Sequence, residues 1–497
     1  MKFDLNVCFS FSSDISSLQK ELKSFLSDYN KSLIKKDKTI KFLDIKLKKN
    51  SLSFHIISEG SLRPHNILLN LKNNISKEFG KKHHIGVREI KIDSYIIDFE
   101  LEKKPLKEVF IPFADVKIKD KKATLILKDV SDDFLQKNYI DRMITRVNEK
   151  VENHYYEGKS EFWELIWKSD EKKPFWNKDP TEEMNKSGWI KQGPTKGKWF
   201  YNPQAAAILK TMEHIAIEEI LKPLDFQEII ESFMVPFDVW LRTGHLEGMP
   251  GEFYYISEPA SRDADKWEHY VDLVKITKEI PIKELKKNLS EPRSGICYAQ
   301  CPVIYWGFKG KTISEDSLPV LVYDKTAISA RYESGGRHGI ERVDEFHRIE
   351  PVYIGTREQL LKLREKLIDR YKHVFNKIFD IEWRMAWVTP WYMQQAGKVG
   401  DKSTQDTGTI DFEAYMPYRG DRKSEWLEFQ NLSILGDKYI KAFNIKAQKS
   451  ELWSGCSGIG LERWATVFLA QKGIDPDKWP NGFKKYLDKL PTGINFV

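Results

Sequence analysis

Residues 331–350 combine residue types and spacings that suit nucleotide binding. The segment begins with Arg-x-Glu, has a glycine-rich centre and ends with Arg-x-x-x-Phe-x-x-x-Glu, formed by Arg342, Phe346 and Glu350. Its flanks alternate or run apolar, which predicts two antiparallel strands joined by a loop. On such a hairpin, guanidinium groups bind phosphates while the aromatic ring stacks under a base. The whole pattern therefore predicts a nucleotide site, whereas a charged surface hairpin is the alternative for any single residue.

The composition limits the class of protein. A length of 497 residues predicts two or three domains, and 41% hydrophobic with 31% charged residues is typical of a globular chain. No apolar run reaches the length of a membrane span, and the charged start lacks the apolar core of a signal peptide. Four cysteines in so long a chain favour a reducing compartment, so we expect a cytoplasmic protein without a membrane partner.

Basic residues are concentrated in the first third of the chain. Residues 1–150 hold 30 Lys and Arg against 21 Asp and Glu, whereas the remaining residues hold 50 against 52. A surplus of nine positive charges on one domain favours contact with a polyanion such as a nucleic acid. A lysine-rich surface that only aids solubility is the alternative.

Periodicity predicts an α+β fold in two parts. Residues 1–165 alternate strands with helices and predict a domain with a mostly antiparallel sheet, which ends in one long helix over residues 132–156. That helix has Asp132 or Asp133 near its N-cap. Residues 166–195 are polar, rich in Pro, Lys and Trp, and lack periodicity, so we interpret them as a linker whose tryptophans pack on a domain.

Residues 196–497 predict a large antiparallel sheet flanked by helices. A strong helix over 203–221 is followed by a strand that ends at Pro236, and a charged helical section over 260–289 has the character of an insertion. Further strands follow, the segment GICYAQCPVIYW from Gly295 among them.

The cysteines suggest a metal site without defining it. Cys297 and Cys301 are four residues apart, on one face of a predicted strand, and together with Cys456 and a histidine they would make a zinc site. Structural zinc usually shows two closely spaced cysteine pairs, which this chain lacks. Buried, inert cysteines are therefore an equal alternative on spacing alone.

Three elements resemble the motifs of class II aminoacyl-tRNA synthetases, over roughly residues 195–497. The helix and the strand ending at Pro236 resemble the first motif, although Asp225 replaces its usual glycine. The 331–350 hairpin resembles the second motif. The resemblance implies the antiparallel sheet of that class, flanked by helices, and a homodimer formed through the first motif.

The segment GIGLERW resembles the third motif. Gly458 and Gly460 would allow close approach of the backbone, and Arg463 would enter the site from a helix. An ordinary strand-to-helix turn would explain this segment alone, but it follows an Arg-x-Glu hairpin in the same chain.

Two further segments resemble seryl-tRNA synthetases: TGHLEGMPGEFYYIS from Thr243 and SGICYAQCPVIYW from Ser294. The common seryl enzymes have Thr-Ala-Glu where this chain has Ala299-Gln300-Cys301. Cysteine in place of that glutamate resembles the rare archaeal, methanogen-type seryl enzymes, which use zinc. With the N-terminal domain included, the resemblance covers nearly the whole chain and implies a serine--tRNA ligase.

This resemblance also implies a ligand set. Cys301, Glu350 and Cys456 would hold one zinc ion per subunit from predicted strands of one sheet, and Cys297 would be a packing residue. Three protein ligands leave a fourth position open, as in zinc sites that meet a substrate. We expect the amino group of serine to take this position and its hydroxyl to approach the ion, which acts without redox chemistry.

The implied reaction has two steps. The carboxylate of L-serine attacks the α-phosphate of ATP, accompanied by Mg²⁺, and the 3′ end of serine tRNA then accepts the seryl group. Positioning and charge neutralisation supply the acceleration, so no enzyme nucleophile is required. Arg331 and Arg463 are the implied catalytic residues, with Arg331 on the α-phosphate and serine carboxylate and Arg463 on the outer phosphates.

The remaining roles are implied in the same way. Phe346 would stack on adenine, and Glu428 and Asn431 would serve Mg²⁺, ATP and serine, although a plain polar strand face would also explain these last two. A polar loop from Thr389 would close over the substrate, with Gln394 or Gln395 on serine. The implied ATP-binding residues are Arg331, Glu333, Arg342, Val343, Phe346, Arg348, Glu350, Glu428 and Arg463, and the implied serine-binding residues are Ala299, Arg331, Glu350, Gln395 and Asn431.

The sequence is also compatible with other functions. Another class II ATP-dependent amino acid ligase, of threonyl or carrier-protein type, would share these motifs, but the basic N-terminal domain favours RNA over a carrier protein. A non-catalytic RNA-binding paralogue, with or without zinc, is disfavoured because Arg331, Arg342 and Arg463 are all present.

Overall fold

The chain forms two compact units, Met1–Ser160 and Glu161–Val497, in a computed structural model. The structure describes residues 1–33, 39–60, 62–128, 130–155, 163–326, 328–333, 336–388, 406–487 and 489–494. The loop from Thr389 with Gln394 and Gln395 lies outside the described residues. Within the described ranges, no helix has both the length and the apolar character that a membrane span requires.

The N-terminal unit is a fully antiparallel sheet of six strands in the order β2-β3-β1-β4-β6-β5, with helices packed on it. Strand β1 alternates buried and half-buried residues over most of its length, as its sequence predicts, because one face packs on the hydrophobic core. Its strands are β1 (Lys2–Phe11), β2 (Thr39–Lys48), β3 (Ser51–Glu59), β4 (Val87–Glu100), β5 (Ala114–Lys119) and β6 (Lys122–Leu127). Its helices are α1 (Gln19–Leu33), α2 (Pro64–His83), α3 (Asp132–Gln136) and α4 (Tyr139–Asn153).

The single long helix predicted over 132–156 is wrong. It is divided into α3 and α4, because Asn138 takes a left-handed conformation with φ of 54° that interrupts the helix. The N-cap is Ser131, whose hydroxyl accepts a hydrogen bond from the backbone N–H of Phe134, so Asp132 and Asp133 lie near the N-cap as predicted.

The second unit is built on a large, mainly antiparallel sheet in the order β10-β15-β17-β22-β20-β19-β18-β7, with β16 and β23 paired beside this path. Only the β10–β15 pair in this sheet is parallel among the described strands. The strands of the unit are β7 (Trp163–Lys168), β8 (Ile190–Gln192), β9 (Trp199–Tyr201), β10 (Gln227–Glu228), β11 (Met234–Pro236), β12 (Tyr255–Ile256), β13 (Ser294–Ile296), β14 (Thr312–Ile313), β15 (Val320–Asp324), β16 (Ile328–Ala330), β17 (Glu345–Gly355), β18 (Trp383–Val388), β19 (Gly408–Tyr415), β20 (Trp426–Gly436), β21 (Lys446–Ala447), β22 (Trp453–Cys456) and β23 (Ile459–Gly460).

Helices cover this sheet and complete two hydrophobic cores. The larger core packs the helices over 203–216, 357–373 and 461–472 against the sheet, around the fully buried rings of Phe375, Trp383 and Trp464. The helices are α5 (Pro180–Lys186), α6 (Pro203–Ala216), α7 (Phe237–Arg242), α8 (His245–Gly248), α9 (Glu268–Thr277), α10 (Ile282–Lys287), α11 (Cys301–Gly307), α12 (Arg357–His373), α13 (Lys438–Phe443), α14 (Leu461–Lys472) and α15 (Asn481–Lys484). The predicted helical section over 260–289 holds α9 and α10.

The segment interpreted as a linker, 166–195, is part of the second unit. Strand β7 pairs with β18 along the edge of the large sheet, and the ring of Trp167 lies 4.5 Å from that of Trp383. Asp179 caps α5 by accepting hydrogen bonds from two backbone N–H groups. The tryptophans explain why this segment packs on the second unit although its polar composition resembles that of a linker, because burying their large rings fixes it in place.

The first motif has its predicted helix, but its single predicted strand is two short ones. The helix α6 continues to Leu221, and β10 and β11 follow in two different sheets. Asp225, which replaces the usual glycine, adopts a φ of 63°. Aspartate tolerates this left-handed region better than most residues, so the turn that glycine favours is retained.

A glycine beside the end of β22 has no space for a side chain. A Cβ atom on Gly455 would lie 2.6 Å from the carbonyl oxygen of Ser433 and would also meet the ring of Tyr353. We predict that Gly455→Ala lowers the free energy of unfolding by about 1–3 kcal/mol, the usual cost of overpacking. Urea titration measures this, and Gly251→Ala is the control because nothing lies within 4 Å of its Cβ position. Equal stability of the two variants would contradict the packing described.

Candidate active site

A cavity of about 230 Å³ opens in the second unit, between the large sheet and the connection that follows β16. Every described residue that the sequence predicted for the site lines this cavity. They are Ala299, Cys301, Arg331, Glu333, Arg342, Val343, Phe346, Arg348, Glu350, Glu428, Asn431, Cys456 and Arg463. Residues separated by more than 160 positions are therefore brought together.

Strand β17 supplies three of these side chains from one face. Phe346, Arg348 and Glu350 are each two residues apart, so the period of a strand directs all three into the cavity. The Arg348 guanidinium lies 5.5 Å from the centre of the Phe346 ring, and its Nε lies 3.3 Å from Glu350 Oε2. One strand thus joins an aromatic ring, a cation and a buried carboxylate.

The predicted hairpin is formed by β16 and β17, which pair antiparallel. Arg342, however, precedes β17 rather than lying on the strand that faces Arg331. Glu333 joins the two cations: its Oε2 accepts a hydrogen bond of 2.8 Å from Arg342 Nε, and its Oε1 lies 3.3 Å from Arg331 Nε. Both guanidinium groups are therefore held at the cavity by a shared carboxylate.

Two residues that support Arg331 were missed in the sequence. Arg331 Nε donates a hydrogen bond of 2.9 Å to Glu252 Oε2, which also accepts one of 2.8 Å from the Tyr298 hydroxyl. The Arg331 guanidinium also lies 5.1 Å from the centre of the Tyr298 ring. Glu252 is 79 positions away from Arg331, and no local pattern signals such a contact.

A β-bulge explains how Glu428 and Asn431 reach the same cavity. Residues three apart in a regular strand point to opposite faces. The pairing of β19 with β20 shifts register between Phe412 and Glu413, which leaves Phe429 as an extra residue on β20. The bulge changes the alternation by one position, so both polar side chains line the cavity.

The third motif places a cation opposite the hairpin. Arg463 lies in the first turn of α14, and its guanidinium donates hydrogen bonds to Glu428 Oε2 at 3.1 Å and to the backbone oxygen of Glu341 at 3.1 Å. A Cβ atom on Gly458 would lie 2.9 Å from an Arg348 nitrogen, so a side chain there would displace the Arg348 guanidinium. Gly460 has no such restriction, since the nearest atom would lie 4.0 Å away.

Cys301, Glu350 and Cys456 form a buried cluster at the inner end of the cavity. One ligand atom from each residue lies within 4.8 Å of the other two. Glu350 lies on β17 and Cys456 ends β22, as predicted, but Cys301 begins helix α11. The prediction that all three lie on strands is therefore wrong, because the apolar run after Cys301 packs as a helix against the smaller core.

This cluster has the chemistry of a metal site. Among the described residues, Glu350 Oε2 accepts no hydrogen bond although the carboxyl is buried. Burial raises the pKa of the Glu350 carboxyl, and the contact with Cys301, together with burial, raises that of the Cys456 thiol. A divalent cation at this point would stabilise the charged form of all three groups. Two thiolates and a carboxylate are donors that zinc accepts.

Cys297 lies outside this cluster. Its thiol donates a hydrogen bond of 3.6 Å to Glu231 Oε1, and burial raises the pKa of Glu231 to about 9. The site of Cys297, Cys301, Cys456 and a histidine, which spacing left open, is not formed by the described residues.

His245 is a further lining residue that sequence reasoning did not select. Its Nδ1 lies 2.7 Å from the Thr243 hydroxyl, and burial lowers its pKa to about 3, so the ring is neutral. Ten other residues that the sequence analysis did not select also line the cavity. They are Met249, Tyr298, Ile340, Glu341, Phe429, Gln430, Ser433, Leu435, Tyr439 and Glu462.

The chain is similar to known proteins over its whole length. Residues 1–149 match the family of tRNA-binding domains. The chain is 41% identical over 502 residues to the type-2 serine--tRNA ligase of Methanococcoides burtonii and 42% identical over 509 residues to that of Methanothrix thermoacetophila, each match covering all of both chains. The relative from Methanocaldococcus jannaschii is 30% identical over 99% of this chain and 97% of its own.

Solved structures agree with these relatives. The M. kandleri SerRS in complex with A. aeolicus tRNASec superposes with a TM-score of 0.85 at 25% identity, over 100% of this chain and 99% of that one. The cytoplasmic serine-tRNA ligase of Naegleria fowleri in complex with AMP shares the fold at 13% identity, with a TM-score of 0.51 over 71% of this chain and 73% of its own.

An antiparallel sheet flanked by helices, with an Arg-x-Glu hairpin and an arginine entering from α14, defines a class II aminoacyl-tRNA synthetase. Full-length identity above 40% then specifies the enzyme further. The chain belongs to the family of type-2 serine--tRNA ligases, and its activity is the attachment of serine to tRNA.

Glu252 provides a test of how Arg331 is held. We predict that Glu252→Gln lowers the rate of serine-dependent ATP–pyrophosphate exchange about tenfold or more, since a hydrogen bond to a charged group contributes about 1.5–3 kcal/mol. The matched control is Glu247→Gln, which removes an exposed carboxylate from the neighbouring helix α8. Equal exchange rates in the two variants would show that Glu252 does not position Arg331.

Proposed function

We propose that Cys301, Glu350 and Cys456 hold one zinc ion in this serine--tRNA ligase and that serine binds at this ion. The observation that carries the proposal is the buried cluster, whose ligand atoms lie within 4.8 Å of one another in the cavity that also holds the arginines. Bound zinc would act as a Lewis acid that fixes the amino group of serine. Glu350 and Arg348 share one strand face, so the amino acid and nucleotide subsites would be contiguous.

ATP would occupy the outer part of the same cavity. Arg331, Arg342 and Arg463 each contact a carboxylate there, and the phosphates of ATP offer equivalent acceptors for the same guanidinium groups. The Phe346 ring, on the same face, would stack on adenine. Glu428, freed from part of its pairing with Arg463, would accept Mg²⁺ through its carboxylate.

In this arrangement the chain positions two substrates and needs no nucleophile of its own. Arg331 would orient the serine carboxylate towards the α-phosphate and neutralise the charge that develops there. Glu252 and Tyr298 would hold the Arg331 guanidinium in that orientation. Arg342 and Arg463 would hold the outer phosphates until pyrophosphate leaves. Ala299 and Asn431 line the cavity and would contact serine.

We further propose that the N-terminal unit binds serine tRNA. Residues 1–149 match a tRNA-binding domain, and the excess of basic over acidic residues in the chain lies in this N-terminal part. The solved relative from M. kandleri is bound to a tRNA. Functional boundaries would follow the two units, with tRNA binding in Met1–Ser160 and catalysis in the remainder.

The assembly would be a homodimer formed through the first motif. Ile230, Phe233 and Met234 follow its helix and are exposed, Ile230 by 79%. Contiguous exposed apolar side chains of this kind favour an interface. The four cysteines form no disulfide, and a reducing cytoplasm would keep two of them, Cys301 and Cys456, available as metal ligands.

Removal of one thiol tests the zinc proposal. We predict that Cys456→Ser loses bound zinc, measured by mass spectrometry of the metal per chain, and loses serine-dependent exchange, because two remaining ligands do not retain the ion. The control is Cys297→Ser, which alters a neighbouring buried thiol outside the cluster and should keep both properties. Stoichiometric zinc in Cys456→Ser would refute the ligand set.

Truncation tests the division of labour between the units. A chain beginning at residue 161 keeps β7 as the edge strand of the catalytic sheet, whereas the boundary at 165 would cut it. We predict that this truncated chain retains serine-dependent exchange and has a much higher KM for tRNA in the charging reaction. Charging at the full-length rate and KM would contradict a tRNA-binding role for the first unit.

A further inference from the structure

A short hairpin beside the active site contributes no residue to the lining of the cavity. Strands β8 and β9 pair antiparallel and are joined by the turn Gly-Pro-Thr-Lys-Gly-Lys. Its first strand, β8, lies in the segment 166–195 that the sequence predicted to be a linker. Its position and its outward face are both unusual for a linker.

The hairpin is fixed to the connection that follows β16. The indole N–H of Trp199 donates a hydrogen bond of 2.9 Å to the Gly339 oxygen, and the Gly197 oxygen accepts one of 2.8 Å from the N–H of Asp344. Gly339 and Asp344 are direct neighbours of Ile340 and Val343, which line the active-site cavity. The hairpin therefore lies one residue away from the cavity wall.

One residue links this hairpin to a catalytic arginine. Asp344 donates to Gly197, while its own carbonyl oxygen accepts a hydrogen bond of 2.8 Å from the N–H of Arg331. Gly197 has a φ of 85°, and a Cβ atom there would lie 2.6 Å from Arg337 Cδ. Since any other residue would strain the turn or displace Arg337, the close contact depends on glycine.

The outward face of the hairpin pairs a cation with an aromatic ring. Lys191 and Phe200 are directly opposite in the register of β8 and β9, so their side chains share one face. Phe200 is 63% exposed, and Lys191 and Lys196 are exposed as well. Neither lysine forms an ion pair with any residue in the described ranges, whereas Lys198 is bound to Glu345 at 2.8 Å.

We propose that this hairpin binds the acceptor end of the tRNA. Exposed aromatic rings stack on unpaired bases, and free lysines bind phosphates, so the pair Lys191–Phe200 has the two properties that a single-stranded RNA end requires. The 3′ end must enter the neighbouring cavity to accept serine, and we infer that the last nucleotides of the acceptor arm pass this surface on the way. The inference rests on the proposed function, because it assumes that charging occurs in this cavity.

Two substitutions of one ring test the stacking contact. We expect Phe200→Leu to raise the KM for tRNA in charging about fivefold or more, since base stacking on an aromatic ring contributes at least that factor. Phe200→Trp, which keeps a ring, should retain the wild-type KM. Both variants should retain wild-type serine-dependent ATP–pyrophosphate exchange, which requires no tRNA. The control is Phe175→Leu, at a ring that is 54% exposed elsewhere in the unit.

The lysines provide an independent electrostatic measurement. For Lys191→Ala and Lys196→Ala, we expect the slope of log KM for tRNA against log salt concentration to fall by about one each, as for loss of one phosphate contact. A crosslinker such as benzoylphenylalanine at position 200 should label nucleotides of the acceptor arm.

Three outcomes would overturn the proposal: a tRNA KM in Phe200→Leu equal to that of wild type, a crosslink to another arm of the tRNA, or a crosslink to a second copy of the chain. The last would assign this face to a subunit interface. Failure of the proposed function is a separate result, because it would appear as absent serine-dependent exchange in the wild-type enzyme.

Discussion

The structure of the site depends on one buried carboxylate, Glu350. It is 3% exposed and shares a strand face with Arg348 and Phe346. Burying an acid beside two thiols is unfavourable unless cations compensate the negative charges that these three groups carry when they are deprotonated. Arg348 supplies only one positive charge. The proposed zinc ion would satisfy this requirement and would at the same time define where serine binds relative to the nucleotide. Serine selection and ATP binding would then be coupled along a single strand.

The burial of Glu350 also depends on the strands and the helix that surround the cluster. β17 lies inside the sheet, between β15 and β22, so Glu350 and Cys456, the proposed ligands, come from neighbouring strands. Cys301 comes from helix α11, which packs on the strand face that carries Glu350 and Val352, and this brings the third donor to the strand pair. Such a site is set by the packed core of the unit, and its geometry is therefore as rigid as the sheet.

The sequence predicted those parts of the site that follow a local period. Phe346, Arg348 and Glu350 alternate on one strand, and the helix that carries Arg463 follows a strand-to-helix turn. It could not predict the bulge at Phe429, because an extra residue in one strand is visible only against its partner. Glu252 and the helical position of Cys301 depend on tertiary contacts between distant segments, so they leave no periodic signal.

The central claim is that Cys301, Glu350 and Cys456 bind a zinc ion to which serine binds directly. X-ray absorption at the zinc edge, recorded with and without serine, tests it on the intact enzyme. The account predicts two sulfur ligands at about 2.3 Å with nitrogen or oxygen ligands at about 2.0–2.2 Å, and a change only in the nitrogen and oxygen shell when serine is added. A shell of three or four sulfurs, or a spectrum unchanged by saturating serine, would contradict it.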